Sequence, residues 1–355
     1  MNNPKTDNYH ELIKLTNNEK LREMERVLPR FCTHFFVGIR DRVSTRTRVG
    51  YAYDLQVFFR YINDYVFPTP YEKIADIPLD AMEKIEKFDI ENYMEYLTWY
   101  EGPDGVQHHN EERGKCRKLS ALKSLYTYLC ESELIKLNPA ALVRMPKLHE
   151  KNIIRLDPAE VAKLLDTIEN GSDQESGHQR KYHQKTAIRD LALITLLLGT
   201  GIRVSECVGL NLTDVDFDNG AIRIIRKGGN EATVYFGEEA EEALSAYIDE
   251  RKKIVPISGH ENALFLSIQN RRITVRAVEN LVKKYASEVT TLKKITPHKL
   301  RSTYGTALYR ESGDIYLVAS VLGHKDVNTT RKHYASSNEE KKRLAANMVK
   351  LRKDE

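Results

Sequence analysis

The chain has 355 residues, of which 41% are hydrophobic and 30% are charged, and its formal net charge is +4. This length is enough for two domains of ordinary size, and the apolar content argues against an intrinsically disordered chain. The small excess of positive charge does not by itself indicate a nucleic-acid partner.

The cysteines and the apolar runs are typical of a soluble cytoplasmic protein. The longest apolar run, Leu191–Gly199, is too short to cross a bilayer, and the N-terminal residues contain no apolar signal region. The cysteines are widely spaced and form no CxxC pair: Cys32, Cys116, Cys130 and Cys207. We therefore expect reduced thiols, and neither a zinc site nor a disulfide framework.

The first part of the chain is helical in pattern. Ser44 or Thr45 can cap a helix whose apolar residues, between Tyr51 and Ile62, recur at helical spacing. A second helix is predicted around residues 90–97 and a third over about 115–131.

The third predicted helix begins with a group of basic residues. These are Arg113, Lys115, Arg117, Lys118 and, one turn further on, Lys123. Two interpretations are open: a solvated helix surface, or a surface that binds DNA phosphates.

A proline-rich stretch separates the chain into two parts. Residues 138–160 contain three prolines and little periodicity, which is typical of a linker. The stretch ends in a helix start, with Asp157 as N-cap, Pro158 at the first helical position and Glu160 completing a capping box. We predict a helical domain over residues 1–142, a linker over 143–156 and a second domain over 157–355.

The second domain reads as mainly helical with a small antiparallel sheet. Residues 170–185 are predicted to be a polar surface insertion, followed by a buried helix over 191–199. Two short strands, AIRII and ATVYF, join through Gly228 and Gly229 into a hairpin, and Ala263–Ser267 is a possible third strand. Further helices are predicted at about 238–253, 275–288, 298–311 and 314–322.

Six polar residues of this domain stand where the local pattern gives them no clear structural role: Arg203, Lys227, His298, Arg301, His324 and Tyr334. Each one has a simple explanation by itself. Arg203 can pair with Glu206, Lys227 can be a solvated turn residue, and the histidines can lie at helix ends. Tyr334 can be a core aromatic.

Taken together, the six residues suit chemistry on a phosphodiester. Arginine binds two phosphate oxygens at once, and fixed cations can neutralise the charge of the phosphoryl group during attack. A tyrosine hydroxyl has a pKa of about 10, so it needs positive neighbours and a histidine base to act as a nucleophile. A lysine can then protonate the departing 5′ oxygen.

The order and spacing of these residues resemble the tyrosine recombinase (phage integrase) family. TGIRVSE resembles the first arginine motif, IRKGGN the β-hairpin lysine, TPHKLR the H-x-x-R box and LGH the second histidine, with Tyr334 as the nucleophile. Within the family the chain is most similar to Xer-type recombinases, particularly the single-recombinase Xer proteins of streptococci and lactococci. It departs from many relatives in having Ser302 after the box arginine and in having Tyr334 ten residues after His324.

The resemblance implies a two-domain DNA clamp, with a SAM-like core-binding domain and a catalytic domain. It implies cleavage of double-stranded DNA at a specific inverted-repeat site through a 3′-phosphotyrosyl intermediate and a Holliday junction. The implied enzyme is a homotetramer on the DNA synapse and a monomer or weak oligomer when free. No metal or other cofactor and no membrane partner is expected, whereas an accessory protein is possible.

The resemblance also bears on the cell biology and on the C-terminus. It implies chromosome-dimer resolution in a cytoplasmic, nucleoid-associated protein. The C-terminal segment, with Leu344, Met348 and Leu351 on one face, is expected to form a helix that docks in its own domain or in a neighbouring subunit.

Three alternatives stay open at this point. The chain can be an integrase or excision recombinase of a phage or transposon, or a type IB topoisomerase with the same chemistry. It can also be a non-catalytic DNA-binding protein that keeps the fold.

Overall fold

The computed structural model describes residues 9–102, 105–149, 153–171, 177–226, 228–324 and 326–334, with the backbone alone for residues 179, 329 and 332–334. The chain divides between residues 150 and 151 into two compact units. Within the described ranges, no helix is long and apolar enough to cross a membrane. All four cysteines are free thiols, as expected.

The first unit is a helical bundle with one small hairpin. Its helices are α1 (Tyr9–Glu25), α2 (Phe31–Gly38), α3 (Thr45–Tyr65), α4 (Lys87–Tyr96) and α5 (Glu112–Glu131). Three 3₁₀ turns, Ile74–Asp76, Leu79–Lys84 and Pro139–Leu142, complete the helical elements. The antiparallel strands β1 (Trp99–Glu101) and β2 (Gln107–His109) lie between α4 and α5. The hairpin was not predicted, because three-residue strands show no measurable alternation.

The predicted helices of this unit are confirmed. Ser44 is the N-cap of α3, and its hydroxyl accepts a hydrogen bond of 3.2 Å from the backbone N–H of Thr47. The apolar residues of α3 and α5 face one core, in which Phe58, Leu122 and Leu125 are buried. Helix α5 starts about three residues earlier than expected.

The second unit is mainly helical. Its helices are α6 (Pro158–Asn170), α7 (Gly177–Thr200), α8 (Val204–Gly209), α9 (Glu238–Lys252), α10 (Val275–Val289), α11 (Pro297–Ser312), α12 (Ile315–Leu322) and α13 (Val327–Tyr334). A 3₁₀ turn over Leu212–Asp214 precedes the sheet. Its strands are β3 (Val215–Asp216), β4 (Ala221–Ile225) and β5 (Glu231–Tyr235). The predicted fold class, mainly helical with a small antiparallel sheet, is confirmed.

Helix α7 forms the centre of this unit. Its apolar half includes Leu193, Leu196 and Leu197, which are all buried, and it contacts α6, α9 and α11. The predicted start of α6 is confirmed, since Asp157 accepts from the Glu160 N–H at 2.9 Å and Glu160 accepts from the Asp157 N–H at 2.8 Å. The four helices predicted after the hairpin are present, with ends within one residue of those expected.

The sheet confirms the predicted hairpin. Strands β4 and β5 pair antiparallel, with Ile222 opposite Val234 and Ile225 opposite Glu231. The backbone N–H of Arg226 donates to the Asn230 carbonyl at 2.8 Å and closes the turn. Because Val215–Asp216 pairs with β4, the sheet has three strands in the order β3-β4-β5.

Two predictions for this unit were wrong. The polar stretch after residue 176 is the first part of α7 rather than a surface insertion, and His183 in it is buried with Nε2 2.8 Å from the Ile168 carbonyl. Ala263–Ser267 is not a strand, since only single bridges join it to Asn211 and Arg272. A short buried apolar run has the same pattern whether it is strand or coil, which explains the second error.

Candidate active site

Arg203 lies in the tight loop that joins α7 to α8. It is the N-cap residue of α8, and its guanidinium donates to Glu206 Oε1 at 2.8 Å. The other oxygen of Glu206 accepts the backbone N–H of Arg203 at 2.7 Å. Glu206 is buried, whereas 36% of the Arg203 side chain is exposed. The predicted pairing with Glu206 therefore exists, and it orients the arginine while leaving part of its side chain accessible.

Arg301 joins this loop to a second one. It lies on α11 and is buried, and its Nη1 donates to the Gly201 carbonyl at 2.6 Å. Its Nη2 donates to the Leu322 carbonyl at 2.5 Å. Gly201 comes two residues before Arg203, and Leu322 comes two residues before His324. One side chain thus brings the Arg203 loop and the His324 turn together.

His298 lies at the start of α11, one turn before Arg301. Pro297 occupies the first helical position after the N-cap Thr296, so His298 is in the first turn rather than at the cap. Its side chain is exposed. Residues three apart lie on one face of a helix, so His298 and Arg301 share a face as predicted.

The ring of His324 is linked to the helix that ends at Tyr334. His324 Nδ1 lies 2.8 Å from the hydroxyl of Thr330, which is fully buried in α13. Tyr334 is the last residue of α13, one helical turn after Thr330. The hydrogen bond therefore places this helix against the LGH turn, although the Tyr334 side chain is outside the described part of the chain.

Lys227 also lies outside the described residues. Its neighbour Arg226 is described, and its Nη2 donates to the Val321 carbonyl at 3.0 Å. The end of β4 is thus attached to the same turn that carries His324. Sequence reasoning missed both Arg226 and Thr330, because each gains a role only through a contact between distant segments.

The site residues are predominantly cationic. Arg203, Arg226 and Arg301 converge on segments 201–203 and 321–324, and Glu206 is the acidic side chain that pairs with Arg203. In the part of the chain that the structure describes, no group of three or more His, Cys, Asp or Glu side chains is arranged to hold a metal ion. Such a cluster of cations suits an anionic ligand with several oxygens.

Comparison with known proteins identifies the family. The model of the phage integrase family matches residues 154–341. A tyrosine recombinase XerC of Caldanaerobacter subterraneus subsp. tengcongensis is 33% identical over 312 residues, covering 84% of this chain and 80% of the relative. The XerC of Chlorobaculum tepidum is 31% identical over 312 residues, covering 85% of this chain and 88% of that protein. The chain belongs to the phage integrase family.

A solved structure supports the fold assignment. The XerH site-specific recombinase, determined bound to a palindromic difH substrate, has a TM-score of 0.65 and 21% identity, covering 86% of this chain and 80% of that chain. The family match and the XerC relatives confirm the predicted resemblance to tyrosine recombinases and the predicted enzyme class, site-specific recombination of DNA.

The basic residues predicted to bind DNA in this integrase-family chain lie in different environments. Arg113 and Arg117 are exposed, and Lys115 and Lys123 are half-buried. Lys115 also donates to the hydroxyl of Thr98 at 2.6 Å. DNA binding by these four residues remains a prediction.

The fifth basic residue, Lys118, has a different role. Its side chain is 6% exposed, and its ammonium lies 3.3 Å from Asp54, which also accepts a hydrogen bond of 2.6 Å from Arg117. Burial raises the pKa of Asp54, and the two cations counteract that rise. Lys118 therefore neutralises a buried carboxylate, which argues against the predicted contact of this residue with DNA. The sequence pattern concealed this because Asp54 lies 64 positions away.

Proposed function

We propose that this protein is a Xer-type recombinase that cleaves and rejoins double-stranded DNA at a specific inverted-repeat site and resolves chromosome dimers. The observation that supports the site most is the double contact of Arg301 with the Gly201 and Leu322 carbonyls. It draws residues from α7–α8, α11 and the α12–α13 turn toward one place, as a site acting on a single phosphate requires.

In the proposed reaction the Tyr334 oxygen attacks the scissile phosphorus and the bond to the 5′ oxygen breaks. The phenol proton passes to His298, and Lys227 donates a proton to the departing 5′ oxygen. The product is a 3′-phosphotyrosyl link and a free 5′ hydroxyl. Attack by the 5′ hydroxyl of the other duplex reverses these steps and joins the exchanged strands into a Holliday junction.

Arg203, Arg301 and His324 are proposed to bind the non-bridging oxygens. Their positive charge and hydrogen bonds stabilise the negative charge that develops on these oxygens during attack. The same charge favours the phenolate form of Tyr334, because a nearby cation lowers the pKa of a phenol.

The partners follow from the same proposal. A homotetramer on two duplexes would exchange one pair of strands at a time, with residues 1–142 as the core-binding domain and 157–355 as the catalytic domain. The XerH relative has been determined on a palindromic substrate, which supports an inverted-repeat target.

We further propose a nucleoid-associated cytoplasmic location and an accessory protein that activates the enzyme. We also propose that the tail beyond residue 334 docks in a neighbouring subunit.

Substitution of the nucleophile tests the proposal. Tyr334→Phe is expected to bind site DNA with unchanged affinity but to form no covalent adduct on a nicked suicide substrate, measured by denaturing gel electrophoresis. Tyr316→Phe is the control, because Tyr316 is another C-terminal tyrosine and is 71% exposed on α12. It should form the adduct at the wild-type rate, also in excess chelator.

Two results would contradict the proposal. An adduct of normal yield in Tyr334→Phe would exclude this residue as the nucleophile. Binding of site DNA by the unaltered protein without any cleavage would instead favour a non-catalytic DNA-binding protein.

A further inference from the structure

Arg226 connects the β-hairpin to the turn before His324. The residue follows β4, and its backbone closes the hairpin through the Asn230 carbonyl. Its side chain leaves the sheet and donates Nη2 to the carbonyl of Val321 at 3.0 Å. Its Nε is buried and has no hydrogen-bond partner among the described residues. Arg226 is therefore half-buried, with its Nε enclosed and its guanidinium held against the turn before His324.

The guanidinium packs directly against Gly323. A β-carbon at this position would overlap Arg226, so no residue with a side chain fits while Arg226 is in place. Gly323 also has φ of 61°, in the left-handed region that glycine adopts without penalty. The glycine of the LGH motif thus permits two things, the reversal after α12 and the close approach of Arg226.

The contact of Arg226 completes the C-terminal cap of α12. The last four carbonyls of a helix have no partner within it. Here the carbonyl of Ala319 accepts the His324 N–H and that of Ser320 accepts the Gly323 N–H, both at 2.9 Å. The next two carbonyls, of Val321 and Leu322, accept from Arg226 and Arg301. All four are satisfied, and two of them depend on arginines from distant segments.

We propose that Arg226 is a positioning residue for His324, acting through the Val321 carbonyl and the glycine turn. Cations near a helix C-terminus are favourable, so the two arginines hold the end of α12 by charge as well as by hydrogen bonds. His324 follows this end directly, and its ring is then aligned by Thr330. Loss of Arg226 would free the turn on one side and let the His324 ring shift. This inference rests on the proposed function, in which His324 binds the scissile phosphate.

The test is a double-mutant cycle on the cleavage rate at saturating DNA. Arg226→Met keeps the apolar stem and removes the donor, and a displaced catalytic group can reduce a rate about 100-fold. We expect a loss of this order for Arg226→Met in the otherwise unaltered protein. In a His324→Ala background the same substitution should reduce the rate by less than about threefold, because the group it positions is already absent. Equal losses in both backgrounds would overturn the proposal.

Arg223→Met is the matched control. Arg223 lies on β4, the strand that leads to Arg226, and its side chain also donates to a backbone carbonyl, that of Thr213 at 2.9 Å, rather than to the His324 turn. Its substitution should leave the cleavage rate within about threefold of the unaltered rate, as expected for an exposed residue outside the site. A loss as large as that of Arg226→Met would show a general effect of the hairpin and overturn the proposal.

A second substrate separates His324 from the neighbouring Lys227. In an oligonucleotide with sulfur as the bridging 5′ atom, the thiolate leaves without a proton donor because thiols are far more acidic than alcohols. Arg226→Met should slow cleavage of the sulfur and oxygen substrates equally, since His324 acts on the non-bridging oxygens. If Arg226→Met cleaved the sulfur substrate at the unaltered rate but the oxygen substrate slowly, Arg226 would act through the proton donor Lys227 instead of His324. That result would overturn the proposal.

Two further measurements complete the test. Affinity for site DNA should stay within about threefold, since a positioning residue does not contact the phosphates. A loss of affinity much larger than threefold would make Arg226 a DNA contact instead and overturn the proposal. If Arg226→Met does not fold, Arg226→Lys, which lacks the planar fork, takes its place in the cycle. Failure of the unaltered protein to cleave either substrate would refute the proposed function itself.

Discussion

The guanidinium of Arg301 donates a hydrogen bond of 2.6 Å to the carbonyl oxygen of Gly201, a residue 100 positions earlier in the chain. A second donor of the same group reaches the Leu322 carbonyl. Arg301 therefore stabilises the tertiary structure of the site in addition to the proposed role of binding phosphate. A substitution here should affect folding as well as catalysis.

We expect Arg301→Ala to lower the free energy of unfolding of the second unit by about 3 kcal/mol, since a hydrogen bond to a charged group contributes roughly 1.5–3 kcal/mol. Urea unfolding followed by far-ultraviolet circular dichroism measures the change. Arg310→Ala on the same helix is the control, because Arg310 is exposed and its pairing with Glu311 contributes little. An unchanged urea midpoint for Arg301→Ala would contradict the structural role.

The hydroxyl of Thr330 is expected to orient His324. Thr330→Val removes the hydrogen bond to Nδ1 but keeps the shape of the buried side chain, so the ring loses its alignment. The cleavage rate should fall by about 10- to 100-fold with unchanged DNA affinity, as for other small displacements of catalytic groups. Thr330→Ser, which keeps the hydroxyl, should retain most activity. Equal cleavage rates for the valine and serine variants would show that the Thr330 hydroxyl does not orient His324.

Two glycines at the end of α7 should respond differently to substitution by alanine. Gly201 has φ of 62°, and a β-carbon there would overlap the ring of Tyr304. The conformational penalty is about 1–2 kcal/mol, and overpacking adds about 1–3 kcal/mol, so Gly201→Ala should be strongly destabilising. Gly199 is helical, and its β-carbon would meet Ala240 at an ordinary distance of 3.6 Å. Gly199→Ala should be neutral or stabilising by up to about 1 kcal/mol.

Thermal unfolding of the two variants gives the comparison. Because the sites are two residues apart, an effect on α7 as a whole would appear in both. Similar melting temperatures for Gly201→Ala and the unaltered protein would contradict the close packing of this loop on Tyr304.

The buried carboxylate of Asp54 should be important for the stability of the first unit. Asp54→Ala leaves Lys118 buried without a counter-charge, and breaking a buried pair in this way costs about 3–5 kcal/mol. The single tryptophan, Trp99, lies in this unit, so its fluorescence during urea unfolding reports on the change. Asp54→Leu combined with Lys118→Met should recover much of the loss. A double variant no more stable than Asp54→Ala would argue against the ion pair as the cause.

Much of the local structure could be read from the sequence. The capping residues Ser44 and Asp157, the hairpin around Gly228 and Gly229, and the helix starting at Pro297 depend on neighbouring residues, and the chemistry of those neighbours is visible in the chain. The motifs that contain Arg203, Arg301 and His324 were identified differently, because their order and spacing resemble those of a known family. The start of α7 was missed because its polar first turns have no clear apolar period.

Only the tertiary structure determined which groups the charged side chains pair with. Lys118 pairs with Asp54, and Arg226 and Arg301 donate hydrogen bonds to the last two carbonyls of α12. The partners are separated by 21 to 95 positions in the chain. A sequence shows that a residue is charged, but not whether it is buried or which acceptor it meets. Burial makes an unpaired polar group costly, so the folded backbone determines which carbonyl or carboxylate each cation must bind.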